Sequence, residues 1–351
     1  MISERDNLLR VVRFETPEYI PMRFHINAAC RHHYPPSALD ELMTAHPLLF
    51  PEFEAPTEEL EPRYGPGQRA DEPYEDIWGC VWETTDNGIT GVVTRHPLES
   101  WDDFEAYTRD HPRRDDVLDP FDPDRIVEAF RKAGVEGSLA QGGLRHGHTF
   151  LTLTYIRGYE NLIFDMADEE PKLYDLIRLV EDYNIKVVRR CLDAGAEWMG
   201  YPDDLGMQLG PMLSPEQFRK YIKPSLQRLM APARDTGCIV HMHSDGDIRP
   251  LVGDLIDVSV EVINLQDLVN GIDWIKDRLA GQICIDLDID RQQITRFGTP
   301  AQIDALIREV VEKLGSKEGG LMTIYGLYPG VPLENVKALM DAMERYTGYY
   351  A

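Results

Sequence analysis

From residue 137 onward, short apolar runs of strand type alternate with helix-spaced segments through at least five units. The strand candidates are 137–141, 197–201, 238–240, 260–264, 282–286 and 320–325. Between and after them lie helix candidates at 155–167, 171–194, 248–256, 272–279, 300–314 and 332–345. In the second of these, Leu173, Leu176, Ile177, Val180, Ile185 and Val188 recur at helical spacing. Ser214-Pro215-Glu216-Gln217 opens a further helix, with a capping serine and a proline at the first helical position. Such alternation predicts an α/β fold with a parallel sheet covered by helices. A closed (β/α)8 TIM barrel fits the 351 residues, and an open doubly wound sheet is the alternative. Neither G-x-G-x-x-G after a first strand nor G-x-x-x-x-G-K occurs, which removes support for dinucleotide and P-loop chemistry.

The N-terminal third is less regular. Residues 3–13 read as a helix capped by Ser3, and 20–24 as a first strand. Residues 30–75 are rich in Pro, Glu and Tyr and read as short helices with a long loop, a lid over the site. Residues 76–83 and 88–94 flank Thr84-Thr85-Asp86-Asn87 as a β-hairpin. Helical pieces at 97–107 and 123–133 enclose a polar stretch at 109–119. One domain over 1–351 is expected, with this helical and lid elaboration reaching to about residue 135.

Charge narrows the partners. The formal net charge is -25, which repels nucleic acid and anionic membrane surfaces. No run approaches the ~18 apolar residues of a membrane span, and the charged start of the chain lacks a signal-peptide core. A soluble cytoplasmic protein acting on a small molecule is expected. The five cysteines, Cys30, Cys80, Cys191, Cys238 and Cys284, are scattered and form no C-x-x-C pair. They read as small buried hydrophobes in a reducing compartment.

Chemistry concentrates in His241-Met242-His243-Ser244-Asp245-Gly246-Asp247, where an apolar strand empties into a titratable turn. In a barrel, strand ends converge on one face. That face would gather His25, Asn27, Gln141, Tyr201, Asp203, Asp204, Asn264, Gln266, Asp286, Asp288, Asp290 and Tyr325 around this turn. His241 and His243 share one side of an extended segment and, with Asp245, make a zinc half-site. Asp203 and Asp204 read equally as proton acceptors or as a loop or helix cap. Asp286, Asp288 and Asp290 alternate, and solvation or capping of the next helix is the plain alternative to a site role. His146 and His148 form a second H-x-H pair beside Gly142-Gly143, in what otherwise reads as a flexible polar loop.

Several pieces in order resemble the uroporphyrinogen decarboxylase superfamily, which also holds cobalamin-dependent methyltransferases that pass a methyl group to coenzyme M. They are Pro202-Asp203-Asp204-Leu205-Gly206, then Leu213-Ser214-Pro215-Glu216-Gln217-Phe218 and His243-Ser244-Asp245-Gly246-Asp247-Ile248. Pro224, Leu287-Asp288-Ile289-Asp290 with Gly298-Thr299-Pro300, and Gly319-Gly320 with Pro332-Leu333-Glu334-Asn335-Val336 complete the set. The resemblance implies a (β/α)8 barrel with its cleft at the strand C-termini, often as a homodimer.

Two departures bear on function. The arginine positions that help the decarboxylase hold substrate carboxylates fall here on Ile26 and Cys30, which argues against an eight-carboxylate porphyrinogen. The H-x-C zinc motif of the methyltransferases reads His243-Ser244-Asp245, and its later cysteine falls on Tyr325. The resemblance thus points to a harder zinc site or none, held by His243 and Asp245 with His241 as a nitrogen donor, to Asp203 or Asp204 as proton acceptor or partner of the ligands, and to a corrinoid carried on a partner protein. A metal-free lyase or decarboxylase using Asp203, His243 and Tyr325 for acid–base work is the second reading. A non-catalytic small-molecule-binding barrel is the third.

Overall fold

The computed structural model describes residues 2–56, 62–113 and 123–349. Seven parallel strands form one sheet: β1 (Met22–Ile26), β2 (Gln141–Gly143), β3 (Trp198–Pro202), β4 (Ile239–Ser244), β5 (Val262–Gln266), β6 (Cys284–Asp288) and β7 (Leu321–Leu327). Their order across the sheet is β1-β7-β6-β5-β4-β3-β2. Helices connect successive strands, as parallel pairing requires.

The sheet is curled in the manner of a TIM barrel. Trp198, Ile239, Val262, Cys284 and Met322, one inward residue near the start of each strand from β3 to β7, meet Leu139 in a single buried cluster. This inward row runs across the paired strands from β3 to β7. The first helix, α1 (Glu4–Arg13), plugs that end with Leu8, Val11 and Val12. Its ends are tied down by the Arg5 N–H on the Gly137 carbonyl and the Gly320 N–H on the Val11 carbonyl. The eight-strand expectation differs in one respect: seven strands are paired among the described residues. The chain between β1 and β2 is instead spent on a three-stranded antiparallel sheet, Tyr74–Glu75, Val81–Glu83 and Val92–Arg95, and on helices. The hairpin expected over 76–94 is part of that small sheet.

Side-chain alternation sorts each barrel strand into two faces. In β4, Val240 and Met242 point outward into the main core with Ile263, Leu265, Ile285 and Leu287. His241 and His243 point into the barrel. The helix before β4, Lys223–Thr236, ends at Gly237 in the left-handed region (φ 74), which reverses the chain into the strand.

The segment expected to act as a lid is divided. The helix Pro36–Ala45 leads to His46, whose Nε2 meets Asp341 of the last helix, Leu333–Thr347, and the Leu48 N–H donates to Glu344 there. This part is docked on the outside of the barrel. Residues 57–61 of the expected lid, and 114–119 of the expected polar stretch, lie outside the described residues. No helix among the described residues is long and apolar enough to cross a membrane.

Candidate metal centre at the strand ends

The site is assembled by two loops that lock together. After β3 comes Asp203-Asp204-Leu205-Gly206, and after β4 comes Asp245-Gly246-Asp247. The Asp203 N–H donates to the His243 carbonyl (3.0 Å) and the Asp247 N–H to the Met207 carbonyl (2.7 Å). The Leu205 N–H donates to Ser244 Oγ (2.9 Å), and the Asp245 N–H donates to Asp204 Oδ1 (2.9 Å). Asp204 is thereby fixed beside His243. The loop after β2 adds His146, held in place by the Leu144 N–H on the Gly200 carbonyl and the Gly147 N–H on the Pro202 carbonyl.

His146, Asp204 and His243 then present three donor atoms within 4.8 Å of one another. Asp204 Oδ1 lies 3.3 Å from His146 Nε2 and 3.5 Å from His243 Nε2. Both separations are long for a hydrogen bond between charged groups. They match the edges of a tetrahedron with ligand bonds of zinc length, about 3.3–3.5 Å. Asp245 Oδ1 stands 3.9 Å from His243 Nε2. Nitrogen and carboxylate donors, with no sulfur, suit a borderline divalent ion such as zinc.

The tautomer of His243 points the same way. Asn264 Nδ2 donates to the Asp286 carbonyl (2.5 Å), so Asn264 Oδ1 is the atom that meets His243 Nδ1. Nδ1 must then carry the hydrogen, and in the neutral ring Nε2 offers a lone pair toward the Asp204 carboxylate. A cation, either a proton or a metal ion, has to stand between them. With a proton there, burial would lower the His243 pKa, but Asp204, Asp245 and Asn264 outweigh burial and raise it to about 9. Burial likewise works against ionised Asp204, and the His146 and His243 contacts outweigh it, holding the carboxyl well below its usual range.

Around this group lies a ring of charge. Arg291 reaches Asp245 (3.1 Å) and Asp288 (2.9 Å). One layer deeper, about 6–7 Å along β4, His241 Nε2 meets Asp286 Oδ2 at 2.9 Å and stacks on Trp198. The Arg23 guanidinium of β1 donates to the same Asp286 oxygen (2.5 Å). Burial and Arg23 lower the His241 pKa despite Asp286.

The residues singled out in the sequence are therefore separated. His243, Asp204 and Asp245 come together, while His241 sits below them on Asp286. Asp203 faces away: its carboxylate accepts the N–H groups of Thr149 (3.2 Å), Phe150 (2.6 Å) and Leu151 (3.1 Å), capping the helix Phe150–Arg157. Asp290 caps the chain at 292–294 in the same way. Tyr325 points out of the barrel; its ring packs on Phe24 and its hydroxyl meets Thr295 Oγ1 (3.3 Å). His146 joins the donor set, whereas its neighbour His148 is buried against Thr149. Arg23 and Arg291 carried no local signal in the sequence. Both reach the site through sheet order alone.

The family model for uroporphyrinogen decarboxylase (URO-D) matches residues 86–346. The chain is 26% identical over 164 residues to the methylcobamide:CoM methyltransferase MtaA of Methanosarcina barkeri, covering 44% of this chain and 43% of that protein. It is 25% identical over 221 residues to a uroporphyrinogen decarboxylase of Syntrophotalea carbinolica, covering 61% and 55%. The chain thus spans about half the length of the curated relatives it matches. A solved methyltransferase from Methanosarcina mazei superposes over 100% of both chains with a TM-score of 0.67 at 18% identity, a likeness of fold. Since the family model takes in most of the chain, from the hairpin tip to the last helix, the chain belongs to the uroporphyrinogen decarboxylase family.

Proposed function

We propose that the chain is an enzyme of the methyltransferase-like branch of its family. In this reading His146, Asp204 and His243 hold a zinc ion, and a partner protein delivers a methyl-corrinoid. The observation that carries it is the Asp204 oxygen set at 3.3 and 3.5 Å from two imidazole nitrogens, one of them deprived of its hydrogen by Asn264. The methyltransferase among the curated relatives supports the reaction class.

Zinc, when bound, supplies a Lewis acid that lowers the pKa of an acceptor heteroatom. The chain's own residues do the rest. Asn264 orients His243, and the Asp245 N–H orients Asp204. Arg291, pinned between Asp245 and Asp288, offers N–H donors to a polar group of the acceptor. His241, Asp286, Arg23 and Trp198 make a rigid floor beneath.

The acceptor is small and carries few negative charges. Asp204, Asp245, Asp286 and Asp288 outnumber Arg23 and Arg291 around the interior. Cys30, at one arginine position of the porphyrinogen site, is buried with its thiol on the Leu327 carbonyl. A polycarboxylate would meet repulsion here.

A second reading, a lyase working by acid–base chemistry, draws on His243, whose pKa near 9 makes it an imidazolium at neutral pH beside Asp204. Metal content separates the two. About one zinc at this site, lost in His243→Ala and Asp204→Ala together with demethylation of methylcobalamin in the presence of thiol or amine acceptors, supports methyl transfer. Protein that takes up no zinc at this site would leave the acid–base reading. Ligand binding without turnover in any assay would favour a binding barrel.

A further inference from the structure

A second cluster of donor atoms lies at the rim of the barrel, outside the site described above. Directly after β1 the chain forms the short helix α2 (Cys30–His33). His32 and His33 of α2 both turn Nε2 toward Asp86 at the tip of the small-sheet hairpin. His32 Nε2 is 3.1 Å from Asp86 Oδ1, and His33 Nε2 is 2.8 Å from Oδ2. The three donors lie within 4.8 Å of one another. Among the described residues, this is one of two such groups, the other being His146, Asp204 and His243.

We propose that His32, His33 and Asp86 bind a borderline divalent transition metal, zinc or a close analogue, which staples the hairpin to the barrel rim. The donor chemistry is two imidazole nitrogens and one carboxylate oxygen, with solvent free to complete the coordination. All three side chains are partly exposed, so an ion reaches them from solvent. His32 is already oriented for this. Its Nδ1 meets the Tyr64 hydroxyl (2.9 Å), the kind of outer contact that fixes a ligating ring.

The backbone around the cluster is preorganised. Gly88 sits at φ +87, and a Cβ there would come within 2.8 Å of the Ala29 Cα, so the hairpin tip is pressed onto the chain just before α2. Its N–H donates to the Gln68 carbonyl (2.8 Å). Thr84 Oγ1 accepts the Asp86 N–H (3.3 Å) and sets the carboxylate. The ligands come from segments more than fifty residues apart and already meet as hydrogen-bonded pairs, so an ion replaces those hydrogen bonds after the side chains move apart by a few tenths of an ångström. Little ordering cost is left for the ion to offset.

The site differs in kind from the one at the strand ends. It bridges two surface elements and, among the described residues, has no ring of buried charge around it, so its role is to fasten the rim.

The test is a zinc titration of the full chain, with bound metal counted by mass spectrometry after dialysis, on wild type, His33→Ala and Asp86→Asn. Each variant changes only surface groups. About one zinc fewer per chain is expected in both variants, whatever the count at the barrel centre. In His243→Ala this rim equivalent is expected to persist. Zinc should also slow amide exchange over residues 84–91 at least tenfold in wild type and not in His33→Ala. Equal zinc counts in wild type and both rim variants would overturn the proposal, as would identical zinc protection of 84–91 in wild type and His33→Ala.

Discussion

Gly206 and Gly246 touch backbone to backbone. A Cβ on Gly206 would stand 2.6 Å from the Gly246 carbonyl carbon, and Gly246 itself sits at φ +81. This contact brings the loop after β3 against the loop after β4, and so holds Asp204 beside His243. Only glycine fits either position.

Gly246→Ala is therefore expected to damage both stability and site. The left-handed backbone costs about 1–2 kcal/mol for alanine, and the collision adds about 1–3 kcal/mol. A loss of roughly 2–5 kcal/mol in chemical denaturation should appear, with zinc retention falling at the barrel centre. An unchanged midpoint would mean the loops are free to separate.

Asn264 sets the His243 tautomer, so its loss should reach the metal. Asn264→Ala is expected to weaken zinc binding at the barrel centre about 10–100-fold. It also leaves the buried Asp286 carbonyl without its donor, at about 1–3 kcal/mol. Asn264→Asp keeps an acceptor for Nδ1 and should retain more of the affinity. Competition with a chromogenic chelator measures both; equal losses in the two variants would contradict the tautomer argument.

Proton and metal compete for His243 Nε2. Because the pKa of the metal-free ring is raised to about 9, the ring is protonated below that pH and zinc must displace a proton. Zinc affinity at this site should then climb about tenfold per pH unit between pH 6 and 8. A pH-independent affinity over that range would show that no proton is displaced from His243, against the raised pKa of the metal-free ring.

Much of this arrangement was legible in the chain, and what was not has a physical cause. The alternation of strand and helix needs only local periodicity, and it carried the parallel curled sheet. His241 and His243 were correctly expected to share one face, because period two is a property of any strand. Their different partners were not legible, since Asp286 and Asp204 come from other strands. Tyr325 shows why position along a strand is easier to read than facing. Leu321–Leu327 is buried on both sides, so its sequence lacks the polar–apolar alternation that would reveal the outward side. His146 follows a three-residue strand too short to show a pattern, and only the pairing of β2 with β3 brings it to Asp204. Tyr325→Phe offers a direct check. It should cost about 0.5–1.5 kcal/mol from the lost contact with Thr295 and leave turnover and zinc content unchanged.

The floor of the barrel should govern the acid limb of stability. Burial works against charge on Asp286, but Arg23 and His241 outweigh it and hold the folded-state pKa well below the ordinary value. The unfolded value is about 3.9. A depressed folded pKa contributes stability that is present above about pH 4 and is lost as the pH falls through the folded value. Asp286→Asn leaves the Arg23 charge without its partner, and breaking such a pair costs about 3–5 kcal/mol; the one-third exposure of Arg23 places the expectation at the lower end. The gap between wild type and Asp286→Asn, measured by urea denaturation, should be full at pH 6–7 and narrow steadily below about pH 4. A gap constant down to pH 3 would indicate that Asp286 titrates at its unfolded value and that the Arg23 contact contributes little.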